Sequence, residues 1–271
     1  MRLYVLNELL SEARTLWQMR ALLGEMTWRE LASRVVGSAG GLLWVWLPPL
    51  MTLAVYFLVF DLVFGMRLGE GAPAQRVGAF LVVGMLPWMA FADAVSRGMT
   101  SLVDAGGMLQ KNPLPAGLFP ARAVLTSLVV FAPLILLLLL LYMPSHHWRP
   151  GVLALPVLLL GQAVLSFLLA YLLAVLAAAL RDVTQVAGVL LSLGVFLSPI
   201  LFPVAMFPQH WRWILWLNPM TAWVLGYQSV LLQGNWPPFP VWMSIVAWLL
   251  LLGAALSVLL ARSRDELVDW L

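Results

Sequence analysis

The sequence predicts an all-α membrane protein: six transmembrane helices, an N-terminal amphipathic interface helix, and short re-entrant outer helices between spans five and six. Three observations predict it. Of 271 residues, 63% are hydrophobic and only 10% charged, against roughly a quarter charged in soluble domains. The apolar residues gather into runs close to the ~20 residues a helix needs to cross ~30 Å of hydrocarbon. Those runs carry no strand-like alternation, and a helix satisfies its own backbone in lipid.

The first segment, 1–36, is polar and periodic. Leu6, Leu9, Leu10, Ala13, Leu16 and Trp17 recur at three- and four-residue intervals, with Glu8, Glu12 and Arg14 between them. This reads as an amphipathic helix, lying at the inner interface or packed on the protein itself. Arg2, Glu8, Glu12 and Arg14 precede any run long enough for a signal-peptide core, so cleavage is not expected. Trp28, Arg29, Glu30 and Arg34 extend the polar lead-in.

The membrane domain, 37–261, holds spans at 37–63, 77–98, 121–143, 152–180, 183–203 and 240–261, and 262–271 forms a tail. The unbroken stretch from Ile135 to Tyr142 marks span three. Pro199 and Pro203 interrupt the end of span five.

Arginine and lysine set the orientation. With a cytoplasmic N-terminus, the inner side holds Arg2, Arg14, Arg20, Arg29, Arg34, Arg97, Lys111, Arg122, Arg181, Arg262 and Arg264. The outer side holds only Arg67, Arg76, Arg149 and Arg212. That asymmetry places both termini in the cytoplasm.

Two inserts stand out. Residues 101–122 carry the only lysine, Lys111, between two spans, and Pro113, Pro115 and Pro120 limit their slack. On this topology the insert is cytoplasmic, where a short helix could fit a cleft in a soluble partner. Between spans five and six, residues 204–239 contain Trp211, Trp213, Trp216, Trp223 and Trp236, cut by Pro208 and Pro219. Tryptophan favours the membrane–water boundary. Two short helices dipping into the outer interface, or a plain aromatic belt, both fit.

No catalytic constellation is present. The chain has no cysteine. His146-His147 lacks a third ligand, His210 is isolated, and no metal site is expected. There is no P-loop spacing around Lys111. Net charge is +3 with no basic tract, so nucleic acid is not an expected partner. Asp93 is the acid most deeply placed in a span, which is costly alone, and Arg97 one turn on suits a structural i,i+4 pair. Asp61 sits near the outer end of span one. Asp182 is expected to cap the helix after the tight turn at Arg181.

Together these residues resemble the permease subunit of ABC-2-type exporters, in the branch that exports O-antigen, capsular or teichoic-acid-type polysaccharides. Arg29-Glu30-Leu31 through Arg34, Gly37-Ser38, Gly41, Trp44 and Pro49 match the pattern leading into span one. Leu109-Gln110-Lys111-Asn112-Pro113 with Phe119-Pro120-Ala121-Arg122 resembles the coupling helix. Arg181-Asp182-Val183, Ser198-Pro199-Ile200-Leu201-Phe202-Pro203 and Leu217-Asn218-Pro219-Met220 resemble the span-four turn and outer segment. The chain departs from the pattern at Arg34-Val35, where an Arg-Tyr pair is usual.

The resemblance implies a half-transporter in the bacterial inner membrane. Two copies would surround a channel for lipid-linked polysaccharide among membrane lipids, and two ABC ATPase subunits would dock at Leu109, Gln110, Lys111, Asn112 and Pro113. ATP and Mg would lie on those partners, with no cofactor on this chain. Aromatic faces suit sugar rings, so Trp44, Tyr56, Phe57, Phe196 and Phe202 are candidate channel residues, with Trp213, Trp216 and Tyr227 as a candidate outer gate. The alternatives are an ABC-2 exporter of small hydrophobic drugs or lipids, a gradient-driven carrier, and an intramembrane enzyme, which the scarcity of polar residues in the spans disfavours.

Overall fold

The computed structural model of the chain describes residues 11–65, 67–68, 76–112, 114–146 and 149–263, without the side chains of 143–146. The sequence features at Arg2, Leu6, Glu8, Leu9, Leu10, Pro113, His147, Trp148, Arg264 and the rest of the tail lie outside the described residues, as does the His146 side chain.

Among the described residues the chain is helical, with one isolated antiparallel bridge between Arg67 and Arg76. After helical residues 11–18 come α1 (Arg20–Ser33), α2 (Leu43–Phe57), α3 (Val77–Asp104), α4 (Gly106–Leu109) and α5 (Leu118–His146). They are followed by α6 (Leu155–Ala179), α7 (Asp182–Gly194), α8 (Met220–Gln233) and α9 (Phe239–Ser263).

Leu23, Thr27 and Leu31 form the buried stripe of α1 and pack it against α5. Trp17 and Trp28 stay exposed on its other side. One face of α1 is therefore packed on the protein, while the amphipathic run expected from Leu6 to Trp17 is a separate stretch that lies partly outside the described residues. Gly37 (φ 78°) and Gly41 (φ 52°) turn the chain through a region where a side chain would be strained, separating α1 from α2.

Among the described residues five helical segments are long and apolar enough to cross a membrane: Leu43–Val63, Val77–Asp104, Leu118–Tyr142, Pro150–Ala179 and Phe239–Ser263. The predicted fifth span is shorter than expected. Helix α7 has 13 residues, about 20 Å of rise, and the backbone then turns through 195–202. Pro199 and Pro203 lack the N–H a continuing helix requires.

Helix α3 is the spine. Of its apolar window 78% is buried, against 11% for Leu43–Val63. It touches α2, α5, α6, α7 and α8. Small residues permit these approaches, as is usual where helices meet without a hydrophobic drive. A Cβ on Gly98 would lie 2.5 Å from the Ala170 Cβ and 3.9 Å from the Ala123 Cβ. Gly98→Leu is therefore expected to wedge α3 from α6 and destabilise the fold by about 3 kcal/mol, at the upper end of overpacking costs. Thermal unfolding of the purified chain would read this as loss of a monodisperse species.

Polar side chains also link the helices. Ser127 Oγ donates to the Ala90 carbonyl (2.9 Å) and Gln162 Nε2 to the Pro87 carbonyl (2.8 Å). Pro48 and Pro49 interrupt α2, whose Trp46 Nε1 donates to the Val130 carbonyl of α5 at 2.9 Å. At the far end of this span Asp61 Oδ1 accepts from the Gly78 N–H at 2.7 Å. It thereby satisfies one orphan donor at the start of α3. Asp182 is the first residue of α7 rather than its cap. Its charge favours the helix N-terminus through the dipole, in place of the expected capping bond.

Candidate functional site

Three features gather around the ends of α3. The first is the predicted coupling insert. The helix in it is α4, Gly106–Leu109, one turn earlier than the sequence suggested, and Gln110–Asn112 form the turn that ends it. The Gln110 N–H donates to the Gly106 carbonyl (3.0 Å), and the Asn112 N–H to the Met108 carbonyl (2.9 Å). Gly106 and Leu109 face inward, while Met108, Gln110, Lys111 and Asn112 are exposed. Leu118 and Phe119 at the start of α5 are fully buried. The insert is anchored at its base and presents a polar tip with an apolar shoulder at Val103 and Met108.

The second is a charge cluster at the same end of the bundle. Asp93 and Arg97 pair as expected, with Arg97 Nη2 on both carboxylate oxygens. Glu30 of α1 joins them, which the sequence reading missed. Its carboxylate lies 3.4 Å from Arg34 Nη2, 3.9 Å from Arg97 Nη1 and 2.7 Å from Arg122 Nε. The Arg122 N–H is not aimed along that contact, so the pair is an ion pair without a directed hydrogen bond. The Arg122 guanidinium also lies over the Phe119 ring, 5.9 Å from its centroid. Burial, and then the neighbouring Arg97 charge, lower the pKa of Arg34 below the ordinary arginine value. One signal for Glu30 was available. It falls three residues after Thr27 and seven after Leu23, on the inward stripe of α1, where a carboxylate needs partners.

The third is a groove of ≈ 500 Å³ between α2, α3 and α5. Arg34, Asp93 and Arg97 line one end, while Trp44, Pro48 and Phe131 contribute to its apolar wall. A second hollow of ≈ 440 Å³, lined by Ser38 through Gly40 and by Leu43 and Leu47, shares Trp44 with it.

The aromatic candidates divide. Trp44, Phe57, Phe196 and Trp213 are exposed; Tyr56, Phe202 and Trp216 are half-buried. Phe202 stacks on Phe207 with centroids 5.6 Å apart, and Tyr56 stacks on Phe60 at 6.3 Å. Tyr227 is wholly buried in the bundle core, so as folded it takes no part in an outer gate. Helix α8 is mostly apolar, with Met220, Trp223, Val224 and Val230 buried beside Tyr227, and its polar Thr221 and Gln228 are hydrogen-bonded within the protein.

The turns after α7 are held by amides. Asn218 Nδ2 donates to the Gly194 carbonyl (3.0 Å) and Ser198 Oγ (2.8 Å), and Gln228 Nε2 donates to the Pro199 carbonyl (2.8 Å). Trp248 Nε1 of α9 donates to the Trp216 carbonyl at 3.3 Å. Among the described residues no three of His, Cys, Asp or Glu group as a metal site would require. Tightly packed apolar helices, ion pairs and grooves of this kind suit binding and passage.

A family model described as ABC-2 type transporter matches residues 21–232. The chain is 30% identical over 259 residues to the O-antigen export system permease protein RfbA of Myxococcus xanthus, covering 94% of this chain and 97% of that protein. It is 25% identical over 218 residues to RfbA of Klebsiella pneumoniae, covering 79% and 81%. It is 25% identical over 241 residues to the polysialic acid transport protein KpsM of Escherichia coli, covering 88% and 91%.

Proposed function

The chain belongs to the ABC-2 type transporter family, and from that premise we propose that it is the permease half of an ATP-driven exporter of lipid-linked polysaccharide. Two copies enclose the channel in the bacterial inner membrane, with both termini cytoplasmic. Two ABC ATPase subunits, carrying ATP and Mg, dock on the α4 tips. The glycan passes between the copies along Trp44, Tyr56, Phe57, Phe196 and Phe202, and leaves past Trp213 and Trp216. The segment from Gln209 to Gln233 dips into the outer leaflet and returns.

The α4 tip carries the docking part of this reading. It is short and anchored at its base, and it lies between two spans that a push would move together. The similarity to O-antigen export permeases and a polysialic acid transport protein, over 81–97% of their lengths, supports the glycan. The Leu43–Val63 segment, with only 11% of its most apolar stretch buried, has a broad face free for the second copy. The bond from Trp248 to Trp216, nine residues into α9, about 13 Å along its axis, supports the dipping segment.

The test is reconstitution in sealed vesicles with a partner ABC ATPase and a lipid-linked glycan. ATP-dependent glycan movement is expected. Movement driven by the permease alone under an ion gradient would replace this reading with a carrier.

One observation favours a second reading, export of small hydrophobic compounds or lipids. A pocket of ≈ 350 Å³ between α3, α6, α7 and α9 is lined by apolar side chains including Trp88, Phe91, Val95 and Leu252. That size lies at the lower end of small-molecule sites, which run ~300–1,000 Å³. Drug-stimulated ATP hydrolysis by the reconstituted complex, indifferent to glycan, would select it.

A further inference from the structure

We propose that the groove between α2, α3 and α5 is a binding site for a phosphate-bearing anionic lipid. The phosphate sits at Arg34 and Arg97, and the first part of the hydrocarbon chain lies along Trp44, Pro48 and Phe131. The inference deepens the export reading by giving a place to the lipid end of the cargo, and it rests on that reading only for the lipid's identity as cargo.

Charge is the first argument. Three guanidiniums, Arg34, Arg97 and Arg122, face two carboxylates, Glu30 and Asp93. Both Asp93 oxygens are occupied by Arg97, and Glu30 is shared among all three arginines. The cluster therefore holds one uncompensated positive charge. Three of its buried N–H groups, Arg34 Nε, Arg97 Nε and Arg122 Nε, have no hydrogen-bond partner among the described residues. Arg34 is the least committed member, tied only by a 3.4 Å contact to Glu30. Its charge is disfavoured by burial and by Arg97, and an arriving anion offsets the repulsion from Arg97. Planar guanidiniums match phosphate with paired, charge-assisted bonds.

Shape is the second. From Trp44 to Thr52 the wall follows eight residues of α2, about 12 Å along its axis, and beyond the charged end it is almost entirely apolar. Thr52 is the only hydroxyl among the lining residues, and its Oγ1 donates to the Pro48 carbonyl at 2.9 Å. The proton of that hydroxyl is already committed, and the groove suits a hydrocarbon chain under an anionic head.

Depth is the third. The charged end lies on the side where arginine and lysine predominate, beside Trp44 at the start of the span. That is the level of a headgroup, with aromatic side chains at the boundary and hydrocarbon beyond it.

Binding is to be measured on the full-length chain in phosphatidylcholine nanodiscs by native mass spectrometry, with polyprenyl phosphate and phosphatidylglycerol as separate probes. Both are expected to be retained above the zwitterionic background. Arg34→Gln should weaken retention roughly tenfold, the scale of losing one charged hydrogen bond, and Arg34→Lys should restore most of it. Thr52→Trp, which fills the groove without touching an arginine, should also abolish retention while the protein stays monodisperse. Displacement of the lipid by millimolar inorganic phosphate would make this a free-anion site and overturn the lipid assignment. Wild-type retention in both Arg34→Gln and Thr52→Trp would overturn the site altogether. The measurement needs neither ATPase nor glycan, so its failure leaves the export reading standing, and failed export with intact binding leaves the groove standing.

Discussion

Replacing Gln110, Lys111 and Asn112 together with alanine abolishes ATPase association and export while the permease still folds. All three side chains are exposed at the tip of the insert, and exposed substitutions away from caps and cores usually change stability by less than about 0.5 kcal/mol. The fold is anchored elsewhere, by Leu109, Leu118 and Phe119. Stability and docking are therefore separable at this tip. Co-purification with the ATPase is expected to fall to background, with an unchanged thermal unfolding curve for the permease alone. A variant that keeps both association and export would remove the tip from the coupling path. Conversely, Leu109→Asp should cost stability first, because its side chain is buried under the turn.

Glu30→Ala is expected to weaken the fold by taking the shared anion out of the charge cluster. Removing it leaves Arg34, Arg97 and Arg122 facing one another with only Asp93 to offset them. Breaking a fully buried ion pair costs about 3–5 kcal/mol. Here the side chains keep between 17% and 32% of their exposure, so about 2–3 kcal/mol is the appropriate scale after solvent screening. Glu30→Gln, which keeps the shape, should fall between wild type and alanine. The double variant Glu30→Ala/Arg122→Ala should recover part of the loss by deleting one stranded cation, giving a coupling energy above about 0.5 kcal/mol. Thermal unfolding in detergent measures all three. Strict additivity would mean that Glu30 and Arg122 do not support each other.

Most of the membrane architecture was legible because hydropathy and span length are one-dimensional quantities. The Asp93–Arg97 pair was legible for the same reason, since four residues on a helix fix its geometry. The insert was legible as a polar island, but its helix begins at Gly106 because Gly106 and Leu109 share the inward side, a fact set by the bundle beneath. Glu30 pairs with Arg97 and Arg122, far along the chain, and separation of that kind carries no local signature. Tyr227 was misplaced because its segment is rich in tryptophan and broken by prolines, which suggested a boundary. Helix α8 is mostly apolar and its few buried polar groups find partners, which lets it pack inside the bundle. Span five was overextended because apolar residues continue past Gly194 to Phe202, although prolines 199 and 203 deny them a helix.

The amides of Asn218 and Gln228 have a mechanical consequence. They replace the missing helical bonds of the turns after α7, so those turns can exist in an oily setting only while the Leu217–Gln233 stretch stays beside them. The two regions must swing as one lever, and a motion that swings α7 aside for cargo draws the tryptophan-rich lip with it.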